Sequence, residues 1–228
     1  MSREAEEREF WNEWNAEHRE EAQGFVSLRQ AEIVEGRLAG ESGLRILDVG
    51  CGTGWMSERL RPYGEVTAID LADDVVERAR VRAPDVTFVV GDVMEADVGS
   101  DFDVIVCFEV VSYVADQPAF LKRIRELLAP DGRLLLTTEN RTVVQRWNRP
   151  PPAALAPHYR LVDRDELRDL VRQAGFGVDE MYVVSPLSDH GPMRVAAKVG
   201  RFLHASGLLE RLGFGWTIML AATRGSDS

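Results

Sequence analysis

From residue 45 to residue 138 the chain alternates short apolar runs with helix-patterned segments, and this alternation restricts its fold more than any other feature. The runs RILDV (45–49), EVTAID (65–70), VTFVV (86–90), FDVIVCF (102–108) and RLLLTT (133–138) read as buried strands. Helical spacing fills 55–62, 73–83 and 117–129 between them. Pro62, Pro84 and the turn signal Pro130-Asp131-Gly132 close those three helices. FDVIVCF is hydrophobic throughout, as a central parallel strand covered on both faces must be. Strands and helices in strict alternation imply an α/β fold, a parallel sheet with helices on both faces. Such sheets bind ligands beyond the carboxyl ends of their strands, so the loops after the strands are where chemistry is to be sought.

The flanks extend this pattern. Residues 3–22 are dense in Glu and Arg and place Phe10, Trp11 and Trp14 at helical spacing; 25–39 continue with Leu28, Ala31, Val34 and Leu38. These read as two helices broken at Gly24, with Gly40 and Gly43 ending the second. Residues 141–162 are rich in Pro and Arg and read as irregular. A helix is expected over 163–174, capped by Asp163 with Glu166 three residues on and ended by Gly175. Two more strands are expected at 178–184 and 216–223, with 191–212 largely helical between them.

A length of 228 residues, 45% of them apolar, suits one sizeable α/β domain. The formal net charge is −11. An acidic chain repels phosphate backbones, so no nucleic-acid partner is expected. Apolar runs stop well short of membrane-spanning length, and the start MSREAEEREF has no apolar leader core, so neither membrane nor secretion is expected. Cys51 and Cys107 both lie in apolar strand-like contexts, which fits a reducing, cytoplasmic setting and not a disulfide framework.

Residues 46–54 read ILDVGCGTG. The glycines at 50, 52 and 54 follow strand one and open a helix. Glycine permits positive φ and a close backbone approach by a ligand. Such a loop could seat a dinucleotide or a sulfonium nucleoside. The dinucleotide fingerprint is G-x-G-x-x-G; here the third glycine comes one position early and Trp55 follows it. Asp48 is badly placed beside phosphates, but well placed to orient the loop and an amino-acid ammonium. Asp70, ending strand two 22 residues beyond Asp48, is suited to accept from two ribose hydroxyls.

On these residues the chain resembles the class I S-adenosylmethionine (SAM)-dependent methyltransferases, ILDVGCGTG being similar to their first motif. The likeness spans roughly residues 40–184, and HYRLVDRDELRDLVRQAGFGVDE (158–180) is similar to the late helix–strand pattern of small-molecule members. The resemblance implies a Rossmann-like sheet of seven strands, order 3-2-1-4-5-7-6, with strand seven antiparallel. It implies one domain over 1–228, with an N-terminal helical lid (1–40), a SAM-binding core (41–140) and acceptor-side elements with the last two strands (141–228). It implies SAM contacts from Asp48, Gly50, Cys51, Gly52 and Gly54, ribose binding by Asp70, and adenine flanked by Leu71, Asp92 and Val93. Phe108 and Glu109 would lie beside the methionine part. The Asn/Asp-Pro-Pro-aromatic motif of base and glutamine methylases is missing after strand four, where Cys107-Phe108-Glu109-Val110-Val111 stands.

The implied reaction is methyl transfer to a small-molecule acceptor, oxygen favoured over nitrogen, in bacterial secondary or cofactor metabolism. The cofactor carries its own leaving group. The protein is left to position the reactants, which can contribute about 7–11 kcal/mol, to exclude water, and to take a proton from a hydroxyl. His158 and then His190 are the candidate bases, and Tyr113, Trp147 and Tyr159 the candidate acceptor-pocket aromatics. Trp11 and Trp14 are read either as a lid or as packing on the sheet edge. No metal site is expected. A dehydrogenase, a nucleic-acid or protein methylase and a non-methylating SAM binder of the same fold are the other classes weighed. The acceptor and the oligomeric state are not encoded legibly.

Overall fold

The computed structural model describes residues 3–18, 24–146, 159–184 and 217–225. Seven strands form one sheet in the order β3-β2-β1-β4-β5-β7-β6. They are β1 (Leu44–Val49), β2 (Gly64–Asp70), β3 (Thr87–Val90), β4 (Phe102–Phe108), β5 (Leu128–Glu139), β6 (Phe176–Val184) and β7 (Thr217–Arg224). The first five strands pair in parallel, and β7 runs antiparallel to both β5 and β6. Order and direction are as the resemblance implied.

Alternate residues of the central strands feed two cores. Leu47, Ile105, Cys107, Leu134 and Leu136 face one side, where Phe120, Leu121 and Ile124 of α5 (Gln117–Leu127) and Leu167 and Val171 of α7 (Arg164–Gln173) cover them. Ile46, Val104, Val106 and Leu135 face the other side, under α2 (Phe25–Leu38), α3 (Trp55–Leu60) and α4 (Asp73–Arg82). The period of two along each strand turns one continuous apolar run into two buried faces. Both cysteines are buried and free. No helix among the described residues is long and apolar enough to cross a membrane.

The helix that follows the irregular segment is built as its sequence indicates. Asp163 accepts from the amides of Asp165 and Glu166 at 3.1 and 3.0 Å, and Glu166 accepts from the Asp163 amide, closing a capping box. Arg141 pairs with both carboxylates and ties this helix start to the end of β5.

Three expectations need correction. Pro130-Asp131-Gly132 does not end an element before β5; it lies inside β5. There β5 advances five positions, from Leu128 to Arg133, while β4 advances two, from Phe102 to Val104, so the turn is absorbed as a bulge in the ladder. Residues 141–146 are not irregular but form a short helix, α6 (Arg141–Arg146). Asn140 starts it by accepting from the Thr142 amide, and Val143 and Val144 are buried beneath it. The helix after the glycine loop stops at Leu60, and Pro62 sits in a 3₁₀ turn over Arg61–Tyr63. The expected helix at 191–212 lies outside the described residues.

Candidate active site

The carboxyl ends of β1, β2, β3, β4 and β5 open into one cavity of about 580 Å³, a volume in the range typical of small-ligand sites. Of the sequence-derived cofactor residues, Asp48, Gly50, Cys51, Gly52, Asp70, Leu71, Asp92, Val93, Phe108 and Glu109 all line it. Gly54 does not. It is the N-cap of α3 at φ +71, and a Cβ there would lie 2.9 Å from Ala79 and 3.1 Å from Phe88. Its role is close packing of the loop on α4 and β3.

Gly50 sits in the left-handed region at φ +72, and a Cβ on it would reach 2.2 Å from Val110 Cγ2. The backbone thus lies as near its neighbours as glycine alone allows. Asp70 shapes the same loop. Its Oδ2 accepts from the Gly52 amide at 2.8 Å and its Oδ1 from the Ala72 amide at 2.9 Å. Burial raises its carboxyl pKa, and those amides pull it back. Asp70 therefore joins β2 to the turn after β1. Asp92 turns its own loop by accepting from the Met94 amide at 2.9 Å.

Asp48 is buried and accepts from Ser57 Oγ at 2.6 Å, locking the first turn of α3 to β1. Burial chiefly, and the charge of Asp70, push its carboxyl from the ordinary 3.8 up to about 7, against the Ser57 hydrogen bond. Between those two values the folded state holds a proton that the unfolded chain has lost. Stability therefore falls as pH rises from about 4 to about 7 and then levels. Asp48→Asn is expected to remove this share of the slope. In thermal unfolding from pH 5 to pH 8, its Tm relative to the parent should climb; a constant difference would show Asp48 ionised throughout.

At the far end of the cavity, Glu109 adopts φ +58, a strained conformation for a residue with a side chain. Its Oε1 accepts from Gln30 Nε2 of α2 at 2.8 Å. Its Oε2 is buried without a hydrogen-bond partner. Burial first, then the charge of Glu139, lift this carboxyl to about 7; Gln30 and the nearby hydroxyls of Thr137 and Thr217 oppose the shift. Glu139, at the end of β5, accepts the Tyr159 hydroxyl at 2.6 Å and the Tyr113 hydroxyl at 3.4 Å on one oxygen. The two tyrosine rings lie 5.3 Å apart, and Trp11 meets Tyr113 edge-on at 4.9 Å.

Tyr113 lines the cavity; Tyr159 does not, but it contacts the lining residues Tyr113 and Glu139. Trp147, His158 and His190 lie outside the described residues. The sequence reading did not single out Gln30, Asn15 or Glu139. Asn15 faces the loop, its Oδ1 3.2 Å from where a Gly52 Cβ would be. Trp11 and Trp14 of α1 (Arg3–His18) line the cavity too, and Asn12 anchors this helix by donating to Asp73 at 2.8 Å. No local sequence signal marks Gln30 or Asn15, since each matters only through a residue dozens of positions away.

Comparison with known proteins agrees with this geometry. A family model described as a methyltransferase domain matches residues 18–181. A ubiquinone biosynthesis O-methyltransferase of Xanthomonas axonopodis pv. citri is 36% identical over 136 residues, 57% of this chain and 56% of that protein. One of the same name from Ruegeria pomeroyi is 34% identical over 168 residues, 64% of this chain and 66% of that protein. The chain thus spans under two thirds of the length of these curated relatives. The N-methyltransferase NodS of Bradyrhizobium japonicum, solved with S-adenosylhomocysteine, shares the fold at TM-score 0.63 and 17% identity, covering 91% of this chain and 90% of that one. Sheet order, glycine loop and family match converge: the chain belongs to the methyltransferase domain family and has the fold of class I SAM-dependent methyltransferases.

Proposed function

We propose that this chain is an O-methyltransferase that uses SAM to methylate a hydroxyl of a small-molecule acceptor, in cofactor or secondary metabolism of a bacterial cytoplasm. The observation that carries this reading is a continuous cavity. It runs from the glycine loop and Asp70 to the aromatic and carboxylate cluster of Tyr113 and Glu139. The relatives named for O-methylation support oxygen as the acceptor atom.

In this reading the chain works as three parts. Residues 1–40 cover the site, with Trp11, Trp14 and Gln30 lining it. Residues 41–140 hold the cofactor, with Gly50, Cys51, Gly52, Asp70, Leu71, Asp92 and Val93 around the adenosine. Residues 141–228 complete the acceptor side. Bound SAM supplies an electrophilic methyl group with its leaving group attached. The protein's own share is to hold the hydroxyl in line, keep water out and take the proton, a step typically worth about 10²–10⁴-fold. His158, with His190 second, is the proposed proton acceptor, and Trp147 a further pocket residue.

Titration calorimetry with SAM, followed by mass spectrometry of incubated acceptor libraries, tests the reading. Saturable binding and one-methyl products are expected, and His158→Ala should cut turnover while cofactor affinity stays level. No heat at saturating SAM would end it. Binding with no product from any acceptor would favour a non-methylating SAM binder of the same fold.

A further inference from the structure

Every ionisable side chain except Cys51 and Tyr113 that lines the cavity among the described residues is a carboxylate: Glu7, Asp48, Asp70, Asp92, Glu109 and Glu139. No lysine, arginine or histidine is among them. Asp48, Asp70 and Asp92 stand at the ends of β1, β2 and β3, against the glycine loop. Asp48 and Asp70 are engaged there by Ser57 and by backbone amides. Glu109 and Glu139 stand apart from these, at the ends of β4 and β5. The Glu109 amide donates to Thr137 O at 3.0 Å, and Glu139 pairs with Thr217 across β5–β7, so three strand ends converge at this corner.

Among the described residues no cationic side chain lines this corner. Two carboxylates share it, close enough that the charge of Glu139 disfavours that of Glu109, and one oxygen of Glu109 is buried without a hydrogen-bond partner. A buried acceptor left unmet is destabilising, the more so when charged. A left-handed backbone at Glu109, at φ +58, adds strain of its own to that placement. Beside the carboxylates stand three ring faces and edges, Tyr159, Tyr113 and Trp11, at centroid spacings of 5.3 and 4.9 Å. Carboxylates with clustered aromatic rings form the surroundings that an organic ammonium prefers, through charge-assisted hydrogen bonds and cation–π attraction.

Resting on the reading of the cavity as a methyl-transfer site, we propose that Glu139 and Glu109, walled by Tyr113 and Trp11 with Tyr159 held against Tyr113 and Glu139, form a subsite for a protonated amine carried by the methyl acceptor; this assigns Glu109 to the acceptor and not to the methionine part of the cofactor. The amine is a handle that orients the acceptor; the reacting atom is a different one. An acceptor bearing a carboxylate or phosphate near this end is excluded by the same charges.

The test uses three matched fragments on protein saturated with S-adenosylhomocysteine, so that the cofactor's own ammonium site is filled. The fragments are phenethylamine, 2-phenylethanol and phenylacetate, titrated by calorimetry or ligand-observed NMR. Phenethylamine is expected to bind at least tenfold more tightly than 2-phenylethanol, and phenylacetate more weakly than either. Glu139→Gln should weaken phenethylamine at least tenfold, with S-adenosylhomocysteine affinity and Tm kept. Absence of phenethylamine binding, or equal affinity for all three fragments, overturns the subsite while leaving the cofactor reading intact. Equal loss of cofactor and amine affinity in Glu139→Gln would put Glu139 in the cofactor site and overturn it as well. Failure of the parent protein to bind S-adenosylhomocysteine is a separate result, and it would remove the methyl-transfer reading itself.

Discussion

Gly64→Ala is expected to lower stability by more than about 3 kcal/mol. Gly64 opens β2 opposite Leu44 in the parallel ladder with β1. A Cβ at Gly64 would lie 1.9 Å from the Leu44 carbonyl oxygen and 2.5 Å from its nitrogen. Both obstacles are backbone, held by the sheet, so no rotamer change relieves the overlap. The strand ends must part, and the first β1–β2 pair, together with the loop leading into the ligand-binding strands, must shift. For a chain of this size the loss corresponds to a Tm drop of roughly 6–12 °C. Urea denaturation of parent and variant measures it. A change under about 1 kcal/mol would mean that β1 and β2 can separate at that point without consequence, and that the close approach is incidental.

The second large effect is on the ligand. Asp70→Ala is expected to weaken SAM binding by about 1.5–3 kcal/mol, roughly 10- to 150-fold in Kd. Two losses combine. The variant lacks the carboxylate proposed to receive the ribose hydroxyls. It also frees the Gly52 amide and the Ala72 amide, which Asp70 now holds at 2.8 and 2.9 Å, so the glycine turn loses its tie to β2. Asp70→Asn keeps one carbonyl oxygen and should fall between variant and parent. Calorimetry at constant pH separates the three proteins. Unchanged affinity in Asp70→Ala would take this residue out of the site.

How far the sequence carried these conclusions varies by element. The five parallel strands were legible because each is a short apolar run, and burial on both faces of a sheet demands that. The α7 start was legible because capping is local: Asp163, Asp165 and Glu166 lie within four residues of one another. Besides Pro62, which lies in a 3₁₀ turn and not in the preceding helix, two features misled. Pro130-Asp131-Gly132 has the chemistry of a turn, yet the chain absorbs it as a bulge because β4 supplies a partner at Phe102 and again at Val104. Residues 141–146 have no strong helical pattern, and α6 forms there because Asn140 caps it and Val143 and Val144 find a core to enter.

The candidate site divides the same way. Gly50, Gly52, Asp48 and Asp70 could be named from spacing alone, since a strand, a tight turn and a helix in sequence put them together. Gln30 reaching Glu109 across 79 positions, and Tyr159 reaching Glu139 across 20, could not.

The linear order of residues by itself determined the α/β class, the parallel core and the place of the cofactor loop. Periodicity and turn chemistry act over a few residues and need no knowledge of the rest. Folding alone decided that Gly54 supports the loop from behind, that Gly64 meets Leu44, and that Glu109, Glu139, Tyr113 and Trp11 share one cavity, with Tyr159 held against Glu139. Those facts depend on which distant segments the sheet order brings within a few ångströms, and on the burial that follows.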